Sequence, residues 1–231
     1  MQQSVGVILA GGTGSRIGSE VPKQLLSLGG KPLMEYSVAA FQESHGINQI
    51  VIVMQADHLG DAEAIAARYP KVTKVLPGGP SRTGSTLAAL QQLAAMSPDT
   101  KVLIHDAARP LVTPQIIDAV LAALETHDAA STAVASSDTI FDVGEDGHVA
   151  DIPPRQRLRR VQTPQGFRLG TISHAYGQAL ADRGFDGATD DCTVVFRYLP
   201  DVPIAVIEGS DTNLKVTNAS DVELAEHLLV S

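Results

Sequence analysis

The sequence predicts an α/β fold built on a mostly parallel central sheet, with a β-hairpin arm protruding from it. Three observations carry that prediction. Short β-branched runs alternate with stretches of helical spacing through the first half of the chain, the pattern of βαβ crossovers that cover both faces of a parallel sheet. The alternation breaks between residues 138 and 160, where two short strand-like segments flank the turn G-E-D-G. A chain of 231 residues that is 44% apolar can also bury a sizeable core without covalent staples.

The strand candidates are residues 5–10, 49–55, 102–105, 130–135 and 202–208, short runs of the kind that buried strands show. Between them lie residues 32–42, with Pro32 suited to a first helical turn, then 81–95 and 114–126, opened by Ser81 and Thr113 at cap positions. T-I-F-D-V, the turn and H-V-A-D-I form the arm, which ends at Pro153 and Pro154. Helical periodicity returns at 169–181 and 191–199, and Ser220 is placed as the cap of a last amphipathic helix, 221–230. The chain reads as one domain, residues 1–231, carrying the arm 138–160.

Composition removes whole classes of function. Seventeen Lys and Arg stand against 26 Asp and Glu, a net charge of −9, so a generic nucleic-acid or anionic-membrane binder is excluded. Cys192 is the one cysteine, which leaves no internal disulfide, no CxxC motif and no zinc site on paired cysteines, and predicts a reducing, cytoplasmic setting. No apolar run approaches the roughly 18 residues of a spanning helix, and the N-terminus lacks a charged export signal.

Chemistry gathers after the first strand, in L-A-G-G-T-G-S-R-I-G followed by Pro22, Lys23 and Gln24. Glycines let a backbone approach a ligand and aim N–H groups at phosphate oxygens, although a lone cluster also suits a tight turn. No Lys-Ser/Thr pair closes a P-loop, and Gly12, Gly14 and Gly18 miss the dinucleotide spacing, which disfavours an NAD-dependent oxidoreductase. Arg16 and Lys23 lie in a patternless segment longer than most structural connections. Two cations there suit a polyphosphate and the charge that develops in phosphoryl or nucleotidyl transfer.

H-D-A-A-R-P, residues 105–110, follows the third buried strand, at the sheet edge where α/β proteins bind ligands. Asp106 can hold Mg²⁺ together with substrate phosphates, or simply pair with Arg109. Arg109 itself can grip two phosphate oxygens, and His105 reads as structural. A second loop, from Gly78 and Gly79 through Pro80 to Ser85, opens a helix whose N–H and hydroxyl groups can meet a base or phosphate. Arg155, Arg157, Arg159, Arg160 and Arg168 form a basic run, most of it read as a solvated face. Cys192 sits at a helix start, a place that lowers thiol pKa, but is read as packing.

Together these motifs resemble the polyol-phosphate cytidylyltransferases, which include the ribitol-5-phosphate and 2-C-methyl-D-erythritol 4-phosphate enzymes. A-G-G-T-G-S-R-I-G with P-K-Q, H-D-A-A-R-P, Asp138-Thr139, Q-T-P-Q at 162–165 and N-L-K-V-T at 213–217 match in order and spacing across essentially the whole chain. The resemblance implies a Rossmann-like nucleotidyltransferase fold and transfer of CMP from CTP to a polyol phosphate, releasing pyrophosphate. It further implies Arg16, Lys23 and Lys215 as the catalytic cations and Asp106 as the Mg²⁺ residue. Ala10, Gly11, Gly12, Gly14, Gly79, Ser85 and Asp106 would bind the nucleotide, while Arg109, Thr139 and Arg155 would bind the acceptor. Pro80 stands where relatives often offer a polar contact, so its backbone N–H is missing from base recognition.

In relatives the arm crosses a two-fold axis, which implies a homodimer whose Thr139 and Arg155 complete the partner's pocket. An exposed hairpin with alternating apolar residues also needs cover. Four details lean toward ribitol 5-phosphate over 2-C-methyl-D-erythritol 4-phosphate: A-G-G after the strand, D-I-P-P-R, Gln162 before T-P-Q, and T-D-D-C-T-V-V-F-R-Y-L-P. A catalytically inactive nucleotide-binding module is the competing class, disfavoured because a pure binder has no use for so many transition-state charges.

Overall fold

The computed structural model describes residues 3–12 and 22–229. In chain order the elements are β1 (Ser4–Ala10), the short ribbon β2 (Ser27–Leu28) and β3 (Lys31–Pro32), α1 (Leu33–Glu43), β4 (Gln49–Met54), α2 (Leu59–Ala66), β5 (Val72–Pro77), α3 (Arg82–Leu93) and β6 (Lys101–Asp106). There follow α4 (Pro114–Ala123), β7 (Ala129–Ala135), β8 (Asp142–Val143), β9 (Val149–Asp151), β10 (Arg159–Arg168), α5 (Leu169–Ala181), α6 (Asp191–Tyr198), β11 (Ile204–Glu208) and α7 (Ala219–Leu229).

Among the described residues seven strands form the central sheet, ordered β11-β7-β10-β6-β1-β4-β5. All neighbours are parallel except β10, which runs antiparallel to both β6 and β7. The mostly parallel sheet is therefore as expected, and its strands read as apolar runs because both faces are covered. On β1, Val5, Val7 and Leu9 join Leu90, Ile172, Tyr176 and Val195 in one core. Ile8 and Ala10 point the other way, toward Met34, Phe41 and Ile117. That two-residue alternation is what a strand imposes.

Caps explain several helix starts. Ser81 accepts the Gly84 N–H at 3.0 Å, Thr113 that of Ile116, and Asp190 that of Thr193 at 2.8 Å. The expected cap of α7 is corrected: Ser220 lies inside the helix, and Asn218 Oδ1 accepts the Asp221 N–H instead.

Elements that escape the sequence pattern include β5, α2 and β10. β5 is a half-exposed edge strand interrupted by the adjacent polar residues Thr73 and Lys74, and α2 is a short helix beside it. β10 contains Pro164 and Gly166, which argue against a strand; the structure absorbs Pro164 where the register with β7 shifts, the kind of place a sheet tolerates proline. β8 and β9 form the expected antiparallel hairpin, exposed along its length and leading back from β7 into β10.

Candidate active site

β1 pairs with β4 on one side and β6 on the other, so successive crossovers leave β1 in opposite directions. In such sheets ligands bind outside the carboxyl ends of the strands at this switch point. A cavity of about 280 Å³ opens there, lined by Leu9, Gly11 and Gly12 after β1, Ser81, Arg82 and Ser85 at the start of α3, and Asp106 and Ala108 after β6. Lys23, Gln24, Pro80 and Lys215 complete the wall.

The glycines permit this convergence. A Cβ on Gly11 would lie 2.8 Å from Ser85 Oγ, and one on Gly79 would stand 2.6–2.9 Å from the backbone of Gly84. Side chains at either position would push the β1 loop and the α3 turn apart.

Among the described residues the wall carries three cations, Lys23, Arg82 and Lys215, and one carboxylate, Asp106. Lys215 Nζ lies 2.7 Å from Asp106 Oδ2, and Arg82 Nε donates to Asp106 Oδ1 at 3.2 Å. Burial pushes the Asp106 carboxyl up, but Arg82 and Lys215 more than reverse this and hold it well below the usual carboxylate range. Asp106 is thus a fixed anion, and its arginine partner is Arg82 rather than the adjacent Arg109 considered from sequence.

The matched motifs hold these groups in place. His105 is fully buried; its Nε2 meets the Arg109 carbonyl at 3.1 Å and therefore carries the proton, so Nδ1 accepts from the Thr163 hydroxyl at 3.0 Å. Burial lowers its pKa to about 4, leaving it neutral, as a structural histidine should be. Thr163 Oγ1 in turn accepts the Asp106 N–H at 3.1 Å. Buried Asn213 donates to Gln162 Oε1 and to the Thr163 carbonyl, which ties Q-T-P-Q to N-L-K-V-T. Val216 N–H donates to the Ala108 carbonyl at 2.8 Å, and Lys23 Nζ donates to the Val216 carbonyl at 3.0 Å. Lys23, Asp106 and Lys215 are thereby braced against one another.

The residues expected at the site divide into three groups. Gly11, Gly12, Lys23, Ser85, Asp106 and Lys215 line one cavity, with Ala10 buried beneath it and Gly79 packed behind α3. Gly14 and Arg16 lie outside the described residues. Arg109, Thr139 and Arg155 do not line the cavity. Arg109 donates to the Asn213 carbonyl at 2.7 Å and the Val161 carbonyl at 3.2 Å, while Thr139 and Arg155 are exposed on the arm, where Arg155 donates to the Ser137 carbonyl. Cys192 is buried, and burial raises its thiol pKa, which overrides the helix start expected to lower it.

Arg82 is the site residue without a sequence-based role. Its signal was only a single arginine in the turn after Gly79, in a chain with 17 basic residues. Among the described residues no group of three His, Cys, Asp or Glu is placed to hold a metal ion, and no helix is long and apolar enough to cross a membrane.

Comparison with known proteins identifies the family. The family described as IspD, 2-C-methyl-D-erythritol 4-phosphate cytidylyltransferase, matches residues 5–231. A relative of that name from Thermobifida fusca is 49% identical over 96% of this chain and 91% of its own length. A bifunctional ribulose 5-phosphate reductase/CDP-ribitol pyrophosphorylase from Haemophilus influenzae is 38% identical over 99% of this chain, which spans 48% of that protein. The crystal structure of 4-diphosphocytidyl-2C-methyl-D-erythritol synthase from Anaerococcus prevotii superposes with a TM-score of 0.87 at 27% identity, over 100% of this chain and 99% of the other. Matched by the family over residues 5–231 and by a relative at 49% identity along nearly its whole length, the chain belongs to the IspD family and is a CTP-dependent nucleotidyltransferase, a cytidylyltransferase.

Proposed function

We propose that the protein transfers CMP from CTP to 2-C-methyl-D-erythritol 4-phosphate. An acceptor phosphate oxygen forms a bond to the α-phosphorus of CTP as the bond from that phosphorus to the pyrophosphate oxygen breaks, giving the CDP-polyol and pyrophosphate. The observation that carries the reading is the switch-point cavity with three cations around one ionised carboxylate. The attacking phosphate is already an anion, so a general base has little to add; alignment and charge stabilisation are the task. Lys23 and Lys215, with Arg16, act on the triphosphate. Ala10, Gly11, Gly12, Gly79 and Ser85, together with Gly14, receive the nucleotide.

The acceptor assignment departs from the ribitol reading. Two of the details that favoured ribitol have scaffold roles here: Gln162 is a buried strut between Ser210 and Asn213, and in T-D-D-C Asp190 caps α6 while Asp191 is wholly buried. They report on packing and carry little information about the acceptor. The name of the 49% identical relative and the family description support methylerythritol phosphate better. The Haemophilus influenzae relative keeps ribitol 5-phosphate as the second reading. Pyrophosphate release with CTP and each acceptor decides between them. Turnover with methylerythritol phosphate is expected to exceed that with ribitol 5-phosphate at least tenfold, and the reverse order would restore the ribitol assignment.

Magnesium fits this site as an ion shared with the nucleotide. Among the described residues one carboxylate, Asp106, faces the space the phosphates would fill, and Mg²⁺ is commonly held by one or two carboxylates plus substrate oxygens. When bound, it neutralises developing charge on the phosphates. Asp106→Asn, nearly isosteric, is expected to raise the MgCl₂ concentration needed for half-maximal turnover while leaving the melting temperature of the ligand-free protein within a few degrees. An unchanged magnesium requirement removes Asp106 from that role.

The arm belongs to the same proposal. Ile140, Phe141, Val143, Val149, Ile152 and Val161 are all about half exposed, a run of apolar surface that a two-fold related copy would cover. Thr139 and Arg155 lie on this arm, outside their own chain's cavity, and in a homodimer they would complete the acceptor side of the partner's site together with Arg109.

A further inference from the structure

Arg82 connects the cavity to the interior of the protein. Its Nε donates to Asp106 Oδ1 at 3.2 Å, and its Nη2 forms an ion pair with Asp191 Oδ2 at 2.8 Å. Asp191 is held in turn, since its Oδ1 accepts from the Thr86 hydroxyl at 2.9 Å and the Tyr176 hydroxyl at 2.7 Å, and its backbone N–H donates to Gln165. One guanidinium therefore spans two carboxylates, one at the site and one fixed by α3, α5 and β10.

The two cations on Asp106 differ in freedom. Side-chain exposure is 0% for Asp191, 13% for Asp106 and 20% for Arg82, but 41% for Lys215. Arg82 is pinned at both ends of a planar fork, whereas Lys215 is a point charge on a flexible, solvated stem. An arriving triphosphate competes with Asp106 for Lys215. Lys215 can leave, whether toward the phosphates alone or ahead of an arriving Mg²⁺, only if the carboxylate behind it keeps a partner in the meantime, because an unpaired buried charge is costly.

Resting on the nucleotidyl-transfer reading above, we infer that Arg82, anchored by Asp191, is a positioning residue of the reaction: it keeps Asp106 neutralised so that Lys215 is released from that carboxylate to the phosphates of CTP. Without Arg82, Lys215 stays on Asp106 and the triphosphate loses it. Arg82 thus acts through Lys215, and losing either one should look alike.

A double-mutant cycle of Arg82→Met and Lys215→Met tests this by two readouts: CTP binding by calorimetry in EDTA, and pyrophosphate release with MgCl₂. Each single variant is expected to bind CTP at least tenfold more weakly and to lose at least thirtyfold in kcat. The double variant is expected to fall no more than threefold below the weaker single one, since the second change removes nothing further. A role confined to structural support predicts losses that multiply, and that result overturns the inference, as does an Arg82→Met protein within threefold of wild type by both measures. Should Arg82→Met fail to fold, Asp191→Asn loosens Arg82 while preserving the acceptor for Thr86 and Tyr176, and the same non-additivity with Lys215→Met is expected; multiplied losses again overturn it. A wild-type protein that does not turn over CTP would instead refute the transfer reading itself.

Discussion

Lys23→Ala is expected to lower turnover by two orders of magnitude or more while the folded protein persists. Lys23 lines the cavity and its ammonium is braced on the Val216 carbonyl at 3.0 Å, so in the proposed reaction it would meet the triphosphate already oriented. Removing one such preorganised contact to developing charge typically costs on the order of 3 kcal/mol of transition-state stabilisation, about a hundredfold in rate. The fold should tolerate the change, because Lys23 sits in a short turn outside the central sheet and is not fully buried. Steady-state pyrophosphate release beside a thermal melt checks both halves. Turnover within tenfold of wild type, from a protein that melts normally, would take Lys23 out of the reacting site.

Mixing two inactive variants is expected to restore activity, and this effect is qualitative. If Arg155 serves the partner's pocket, Arg155→Ala and Lys23→Ala homodimers are each nearly inactive. In a heterodimer one pocket receives both lesions and the other neither. About half of the sites are then intact at full heterodimer formation, and about a quarter after random exchange. An arm folded onto its own subunit predicts no recovery, since every pocket keeps one lesion however the chains pair. Native mass spectrometry establishes that heterodimers have formed; recovery absent under those conditions rejects the shared site.

The acceptor proposal turns on sequence details whose physical role is hidden until the fold is known. Gln162 and the T-D-D-C run stood out as pattern, yet Gln162 bridges two loops, and the two aspartates of the run cap a helix and anchor Arg82. Such residues track the way a scaffold is packed. Substrate discrimination resides in residues that touch the substrate, and Thr139 and Arg155 stand on an arm whose own cavity does not include them.

By itself the sequence determined what is local. Apolar runs with β-branched residues marked β1, β4, β6, β7 and β11, and Ser81 and Thr113 marked α3 and α4, because strand period and capping act over a few residues. It also brought the motifs that place Gly11, Gly12, Lys23, Ser85, Asp106 and Lys215 in one cavity. Tertiary structure alone decided the rest. β5 became a strand at a half-exposed edge, and β10 became one in spite of Pro164 because β6 and β7 flank it on both sides. Asp106 took Arg82 and Lys215 as partners, 24 and 109 residues away, rather than Arg109 three residues on. Charge pairing depends on distance and burial in space, and those exist only once the loops between the strands have closed.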